Sequence, residues 1–397
     1  MKTIGLYLGI RPSEGGAHQY NLSIIKSLAT LDKNKYKIIC FLTDPLWEPL
    51  LPKDFKKITI KRSLPRKILK KMFDFFSKTL DGPVKYASLY NPIIKKINKS
   101  DCDLVIFPSQ DAVAYQSKKP NLTTIHDLMH RYESRFEEYQ NGVSHLRDKH
   151  FLNICNSKGF ILVDSEIGKK HVVESYGKDP ARIIVLPFVP PHYLLESKPI
   201  DIFSKHHLPE RFIFYPAQFW EHKNHIVLLE AVKILKDKGL DINLVLVGSQ
   251  KNNFKKVLSK IDELHISENV FILGYISNDE MASFYRNAAA LAFVSLAGPT
   301  NIPPLEGMIL GCPVIVSNVY AMPEQVNDAA LLVDPTDPGD IAEKIEMIWQ
   351  NESLRKELIE RGFHQINKYT QTDFDRILHT AIDKVGDSNP LALPKKI

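Results

Sequence analysis

The chain has 397 residues, 44% of them hydrophobic and 25% charged, the balance of a globular protein with room for two large domains and not of a disordered, collagen-like or coiled-coil chain. Lys and Arg outnumber Asp and Glu by 52 to 46, a net charge of +6, and much of that excess is gathered in one stretch. Cys40, Cys102, Cys155 and Cys312 stand far apart with no C-x-x-C pair, which argues against a disulfide framework and a structural zinc.

In chain order, Lys2 and the apolar run behind it imitate a short signal peptide. Arg11 and Glu14 follow at once, and no small-residue cleavage site appears. Residues 3–9 are therefore expected to form a first strand. No run approaches the 18 or so apolar residues that a spanning helix needs, so the chain is expected to be cytoplasmic, or held at a membrane only by its surface. Short apolar runs then alternate with stretches of helical period, the signature of repeated βαβ units and a parallel sheet. Strands are expected at 37–42, 104–108, 123–125, 159–163 and 183–186, and again at 212–215, 243–247, 270–273, 290–294, 314–316 and 330–333. Two doubly wound domains follow, separated by a proline-rich stretch at 187–209 that suits a linker. The expected domains are 1–198 and 199–372, with 373–397 as a final helix and a frayed tail.

Three stretches stand out for chemistry. After the first strand, Gly15 and Gly16 precede a helical pattern at 18–28, so backbone could approach a ligand and a helix N-terminus could favour an anion. The spacing is not G-x-G-x-x-G, which gives no ground for a nicotinamide cofactor. Lys53 to Lys71 carries nine Lys or Arg against the single acid Asp54 and runs into Leu64, Ile68, Phe73, Phe75 and Phe76. It reads equally as an amphipathic face for an anionic membrane surface and as a solvated face of a packed helix. No recognition motif points to nucleic acid. Third, Gly298, Pro299, Thr300, Asn301, Ile302, Pro303, Pro304, Leu305 and Glu306 follow the expected strand at 290–294. A helix starting at the two prolines would aim free N–H groups at the loop and place Glu306 in its first turn. There Glu306 would favour the helix dipole or accept hydrogen bonds from ligand hydroxyls.

The block from Ser295 to Pro335, with PPLEGMILGCPVIVSNVYAMPEQVNDAALLVDP at its centre, closely resembles the C-terminal signature of glycosyltransferase family 4, retaining enzymes of the GT-B fold. The resemblance extends to residues 215–230, to Leu273-Gly274-Tyr275, to Thr124-Ile125-His126-Asp127 and to Gly15-Gly16. It implies two Rossmann-like, doubly wound parallel-sheet domains facing each other across a cleft, with a nucleotide sugar on the second domain, an acceptor on the first, and the final helix, about 373–385, crossing back to the first domain. Glu306 would be the second glutamate of an E-x7-E motif and bind the donor ribose. The first glutamate is replaced by Gly298, so Thr300, Asn301 and backbone amides would have to hold the sugar. Lys223 would sit on the diphosphate and stabilise the leaving group, while Gln218 stands where the family has an arginine. His126 would lie beside the donor sugar, and the loop of Gly274, Tyr275 and Ile276 would read the base. Gly15, Gly16, Gln218, Ile302 and Leu305 complete the implied donor set, with Lys223, Glu306 and His126 as the catalytic residues.

No cofactor and no metal are implied, because helix N-termini and Lys223 can neutralise the diphosphate. Asp101-Cys102-Asp103 spells the D-x-D metal clamp of the other glycosyltransferase fold, but it precedes a strand and reads as a helix-to-strand corner. The implied activity is transfer of a hexose, mannose- or rhamnose-like or glucose- or N-acetylglucosamine-like, to a lipid-linked or oligosaccharide acceptor in bacterial surface-polysaccharide assembly at the inner face of the cytoplasmic membrane. The rivals are a nucleotide-sugar 2-epimerase of related fold and a catalytically idle sugar-nucleotide-binding subunit.

Overall fold

The computed structural model describes residues 1–12, 15–60, 91–191 and 193–387. They form two compact units: Met1–Leu128 with Arg147–Pro187 and Gln371–Ile397, and Met129–Leu146 with Phe188–Thr370. The units therefore do not follow one cut at residue 198. The second takes the chain from Phe188 and also an 18-residue segment whose sequence neighbours lie in the first.

The sheet of the first unit has seven strands: β1 (Lys2–Leu8), β2 (Tyr36–Leu42), β3 (Lys56–Thr59), β4 (Leu104–Phe107), β5 (Asn121–Thr124), β6 (Phe160–Val163) and β7 (Ile183–Val185). All pairs are parallel and the order is β3-β2-β1-β4-β5-β6-β7. Helices cover both faces of such a sheet, so its central strands are buried on both sides; every residue of β4, β5 and β6 is buried, including the polar Asn121, Thr123 and Thr124 of β5. Strand β3 was not expected. Lys56 and Lys57 are exposed on it, and lysines on a sheet edge are a common guard against pairing with another chain. The helix after β1 spans Gly15–Ala29, so the two glycines lie in its first turn and not in a loop ahead of it. The helix Gln371–Asp387 buries Phe374, Leu378 and Ile382 in this unit, and His379 Nε2 lies 3.0 Å from the Ser27 carbonyl. In the Asp101-Cys102-Asp103 corner, Asp103 accepts a hydrogen bond from the Thr3 amide at 2.7 Å, a structural use of the carboxylate.

The sheet of the second unit has β8 (Ile213–Pro216), β9 (Leu244–Val247), β10 (Val270–Leu273), β11 (Ala290–Phe293), β12 (Val314–Ser317) and β13 (Leu331–Val333), all parallel in the order β10-β9-β8-β11-β12-β13. Phe214, Tyr215, Leu246, Leu291, Phe293 and Ile315 fill its core. The proline-rich stretch ahead of it is not a bare linker: it holds the helices Tyr193–Glu196 and Ile202–His206, the second capped by Asp201 and anchored by fully buried Ile202.

Gly248, just beyond β9, sets the path of the chain leaving β8. A Cβ there would stand 2.2 Å from the Ala217 carbonyl oxygen, so only glycine lets the two segments pass. Gly248→Ala is expected to cost about 1–3 kcal/mol, read as a lower urea midpoint with an unchanged slope.

Candidate functional site

In an open parallel sheet, ligands bind beyond the carboxyl ends of the strands where the strand order reverses. In the second unit that point lies between β8 and β11, and the turn that carries Lys223 follows β8 while the Gly298 to Glu306 stretch follows β11. After β8 the chain makes one 3-10 turn, Glu221–Lys223, then Asn224 in the left-handed conformation (φ 60°), then the helix His225–Asp237. Lys223 is half-buried. Its Nζ lies 3.3 Å from Ser295 Oγ and 3.3 Å from Asn301 Oδ1, both uncharged acceptors, and 5.1 Å from the centre of the Phe293 ring. The backbone beneath it is fixed, since Tyr215 donates its phenol to the Lys223 carbonyl at 2.5 Å. Burial holds the Tyr215 pKa well above the ordinary value, so that donor persists at any physiological pH.

After β11 comes Gly298 with φ +112°, a backbone conformation that favours glycine. A Cβ at Gly298 would also meet the Asn301 amide group at 3.0 Å. Asn301 precedes the helix Ile302–Ile309 at the N-cap position, yet its side chain does not cap it. Its backbone is clamped by Gln325, which accepts from Asn301 N at 3.1 Å and donates to Asn301 O at 2.7 Å. The Asn301 side chain thus turns its oxygen to Lys223, while its Nδ2 is buried with no hydrogen-bond partner among the described residues. A buried donor left unmatched costs about 1–3 kcal/mol, a cost that a ligand acceptor would remove. Glu306 is the fifth residue of the helix, so it lies in the second turn and not the first: the helix begins at Ile302, ahead of the prolines. It is buried, and Tyr285 donates to its Oε2 at 2.6 Å. Leu305 is buried beside it, while Thr300 and Ile302 are half-buried.

The remaining expected residues spread along the same rim. Gln218 is exposed after β8, its Oε1 accepting from Trp220 Nε1 at 3.0 Å. Gly274, Tyr275 and Ile276 follow the edge strand β10, two strands from β8; Tyr275 is 83% exposed and Ile276 is buried. In the first unit, His126 follows β5, is held at its backbone N by Gln110 Oε1 at 3.1 Å, and meets the Tyr20 ring edge-on at 5.1 Å. Burial lowers the His126 pKa, with Asp127 and a backbone hydrogen bond partly opposing it, which favours a neutral ring at neutral pH. Tyr20 belongs to the helix that Gly15 and Gly16 begin. Of the basic stretch Lys53 to Lys71, residues 61–71 and the aromatics after them lie outside the described residues.

Sequence reasoning missed the part of residues 129–146 that lies against the Lys223 turn. Glu138 Oε1 is 2.5 Å from His222 Nδ1, and Glu138 Oε2 accepts from Asn252 Nδ2 at 2.9 Å. Burial would raise the Glu138 pKa, but hydrogen bonds from His222 and Asn252 and the His222 charge outweigh it and bring it down to about 2. The carboxylate is therefore ionised at neutral pH, and the proton between the pair sits on His222 Nδ1. No signal in the sequence joins these residues, which stand 84 positions apart.

Residues 198–365 match the model of a protein family described as glycosyl transferases group 1. Among relatives, the chain is 26% identical over 218 residues to the O-antigen chain mannosyltransferase RfbU of Salmonella typhimurium, covering 55% of this chain and 56% of that protein. It is 25% identical over 221 residues to O-antigen chain mannosyltransferase B of Escherichia coli, covering 54% and 58%. The chain spans about half the length of these relatives. Among solved structures, Anabaena Alr3699/HepE, crystallised with UDP and glucose, superposes with a TM-score of 0.72 at 14% identity over 97% of this chain and all of that one. With its two parallel-sheet units, the chain has the GT-B fold. The matched domain contains the whole sheet β8 to β13, Lys223, the Gly298 to Glu306 segment and Gln325.

Because the native pKa of Glu138 lies below its ordinary value of 4.5, its contribution to stability is complete above that value and is lost as pH falls toward about 2. The gap in urea midpoint between the native chain and Glu138→Gln is expected to narrow between pH 6 and pH 3; a gap constant with pH would contradict the assignment.

Proposed function

We propose that the chain is a retaining glycosyltransferase of family 4 that takes a nucleoside-diphosphate sugar on its second unit and passes the hexose to a hydroxyl of a lipid-linked or oligosaccharide acceptor. The observation that carries this is the half-buried Lys223 ammonium at the ends of β8 and β11, set between Ser295 and Asn301. A cation so placed suits a departing diphosphate, whose negative charge grows as the glycosidic bond breaks. Asn301 Nδ2, Thr300 and backbone amides of the Gly298 loop would hold the sugar where the family uses a glutamate, and Glu306 would accept from the ribose hydroxyls. The bond from the anomeric carbon to the phosphate oxygen breaks, the acceptor oxygen bonds to that carbon on the same face, and the acceptor proton passes to the departing diphosphate. His126, neutral in its buried setting, would contact the donor sugar. The loop of Gly274, Tyr275 and Ile276 would meet the base.

The O-antigen relatives favour a mannose-like donor and a role in bacterial surface polysaccharide. No described helix is long and apolar enough to cross a membrane. Lys56, Lys95, Lys96 and Lys99 line a recess of about 750 Å³ beside β3, which supports attachment to an anionic membrane surface from the cytoplasmic side. A second reading, a subunit that binds the sugar nucleotide without turnover, draws on Gly298 and Gln218, where the family has glutamate and arginine. Binding without transfer across all donors and acceptors would favour it.

UDP, GDP or dTDP should raise the melting temperature, since a ligand that binds only the native state stabilises it. Lys223→Ala and Glu306→Ala should each reduce turnover at least about tenfold, or ~1.4 kcal/mol of barrier; full activity in both would remove the donor site from this place. With Lys223 carrying the charge, turnover should survive EDTA, and a loss restored by Mn²⁺ or Mg²⁺ would contradict that.

A further inference from the structure

The turn that carries Lys223 is a single 3-10 turn, and a turn that short has little hydrogen bonding of its own with which to fix its position. Its hold comes from outside, and much of it from residues 133–138. Glu137 N donates to Glu221 Oε2 at 2.8 Å. Glu138 Oε1 takes the His222 imidazole at 2.5 Å and lies 3.4 Å from the His222 amide. Its other oxygen takes Asn252 Nδ2, and Asn252 Oδ1 in turn accepts from the Glu221 amide at 3.2 Å. The Phe136 ring lies 6.1 Å from that of His222 and is buried with Met129 and Ala297. One carboxylate thus reaches the residue before Lys223 at both side chain and backbone, and the residue before that through Asn252.

We infer that Glu138 is a positioning residue for Lys223: by fixing His222 and, through Asn252, Glu221, it aims the ammonium at the diphosphate of the nucleotide. This rests on the donor-site reading above. Glu138 does not itself touch the ligand. The segment has other anchors, since Tyr320 donates to Glu133 Oε1 at 2.6 Å and Phe136 is packed with Ala297. Removing the Glu138 carboxylate therefore leaves the segment attached and takes from the turn its side-chain anchor at His222, while the Tyr215 bond to the Lys223 carbonyl and the Leu296 amide on the His222 carbonyl still hold its backbone. Elsewhere in the segment the ion pairs are more exposed: Lys256 with Glu137 at 3.7 Å, both side chains more than half exposed, and Arg135 with Glu133 at 2.9 Å.

The consequence differs from a general loss of structure. The ammonium meets phosphate and not base, so misplacing it weakens a nucleoside diphosphate while sparing the nucleoside. The test is calorimetric titration of UDP, GDP and dTDP and of uridine, guanosine and thymidine, the nucleosides measured by competition. For the nucleotide the native chain prefers, Glu138→Ala should weaken the diphosphate about tenfold and leave the nucleoside within about twofold. Glu138→Gln, whose amide oxygen can still accept from His222 Nδ1, should recover most of the loss. In a Lys223→Ala background, Glu138→Ala should change nothing further. If Glu138→Ala does not fold, His222→Ala breaks the same bond from the other side and should give the same pattern. Equal weakening of nucleoside and diphosphate, no weakening, or an effect that persists without Lys223 would each overturn the inference while leaving the donor site standing. A native chain that binds none of the diphosphates would overturn the donor-site reading, and this inference with it.

Discussion

The side chain of Asn224 ties together the strand ends on which the site depends. Its amide donates to the Val294 carbonyl at 3.1 Å, at the exit of β11, and to the Pro335 carbonyl at 2.6 Å, beyond β13. The residue is buried and left-handed, a conformation that asparagine tolerates better than most. It therefore turns the chain from the Lys223 turn into the next helix while closing two backbone acceptors that the sheet leaves open. Both carbonyls would otherwise be buried polar groups beyond the end of any ladder. That amide joins the β8 loop to the exit of β11, beside the bond from the Leu296 amide to the His222 carbonyl.

Asn301 does something similar. Each asparagine stands at the N-cap of a helix, the position where its oxygen would ordinarily accept from the helix's free amides, and neither does so. Asn224 spends its amide on strand ends and Asn301 its oxygen on Lys223. The first turn of the helix His225–Asp237 thus keeps amide donors that no cap occupies, near the half-buried cation, whereas Pro303 and Pro304 leave the second and third positions of the other helix without N–H groups. A diphosphate meets that combination well, because helix N-termini and an ammonium act on it together. The loss of cap energy at Asn224, about 1 kcal/mol, is the local cost of leaving that helix end open to an anion.

Much of this was legible in the sequence. The apolar runs marked both sheets because parallel strands buried on both faces carry continuous hydrophobic stretches, and the Pro303 to Pro335 block marked the domain that the family model matches. What escaped did so for identifiable reasons. Strand β3 begins with two lysines, and an edge strand needs no apolar run. Glu306 was placed one turn early because Ile302, not a proline, begins its helix. The stretch at 187–209 looked broken by its prolines, yet Asp201 caps a helix within it and Ile202 anchors that helix. Gly298 was visible as a departure from a pattern, but the sequence did not show that its backbone takes a φ of +112°, which favours glycine. The pairing of Glu138 with His222 had no local signal: His222 lies in the stretch 215–230 that carries the resemblance, Glu138 lies in none, and the chain between them passes through both units.

The helix Gln371–Asp387 has a consequence for how the chain is made. It supplies Phe374, Leu378 and Ile382 to the interior of a unit whose other segments end at Pro187. On a ribosome, the first sheet emerges long before its last covering helix, with the whole second sheet synthesised in between, a delay on the order of 10 s or more. Through that interval the groove awaiting Phe374 is open to solvent. Maturation of the amino-terminal half must therefore wait for the chain's last helix, and a nascent chain stalled before Gln371 would present that apolar groove to chaperones and not to its own helix.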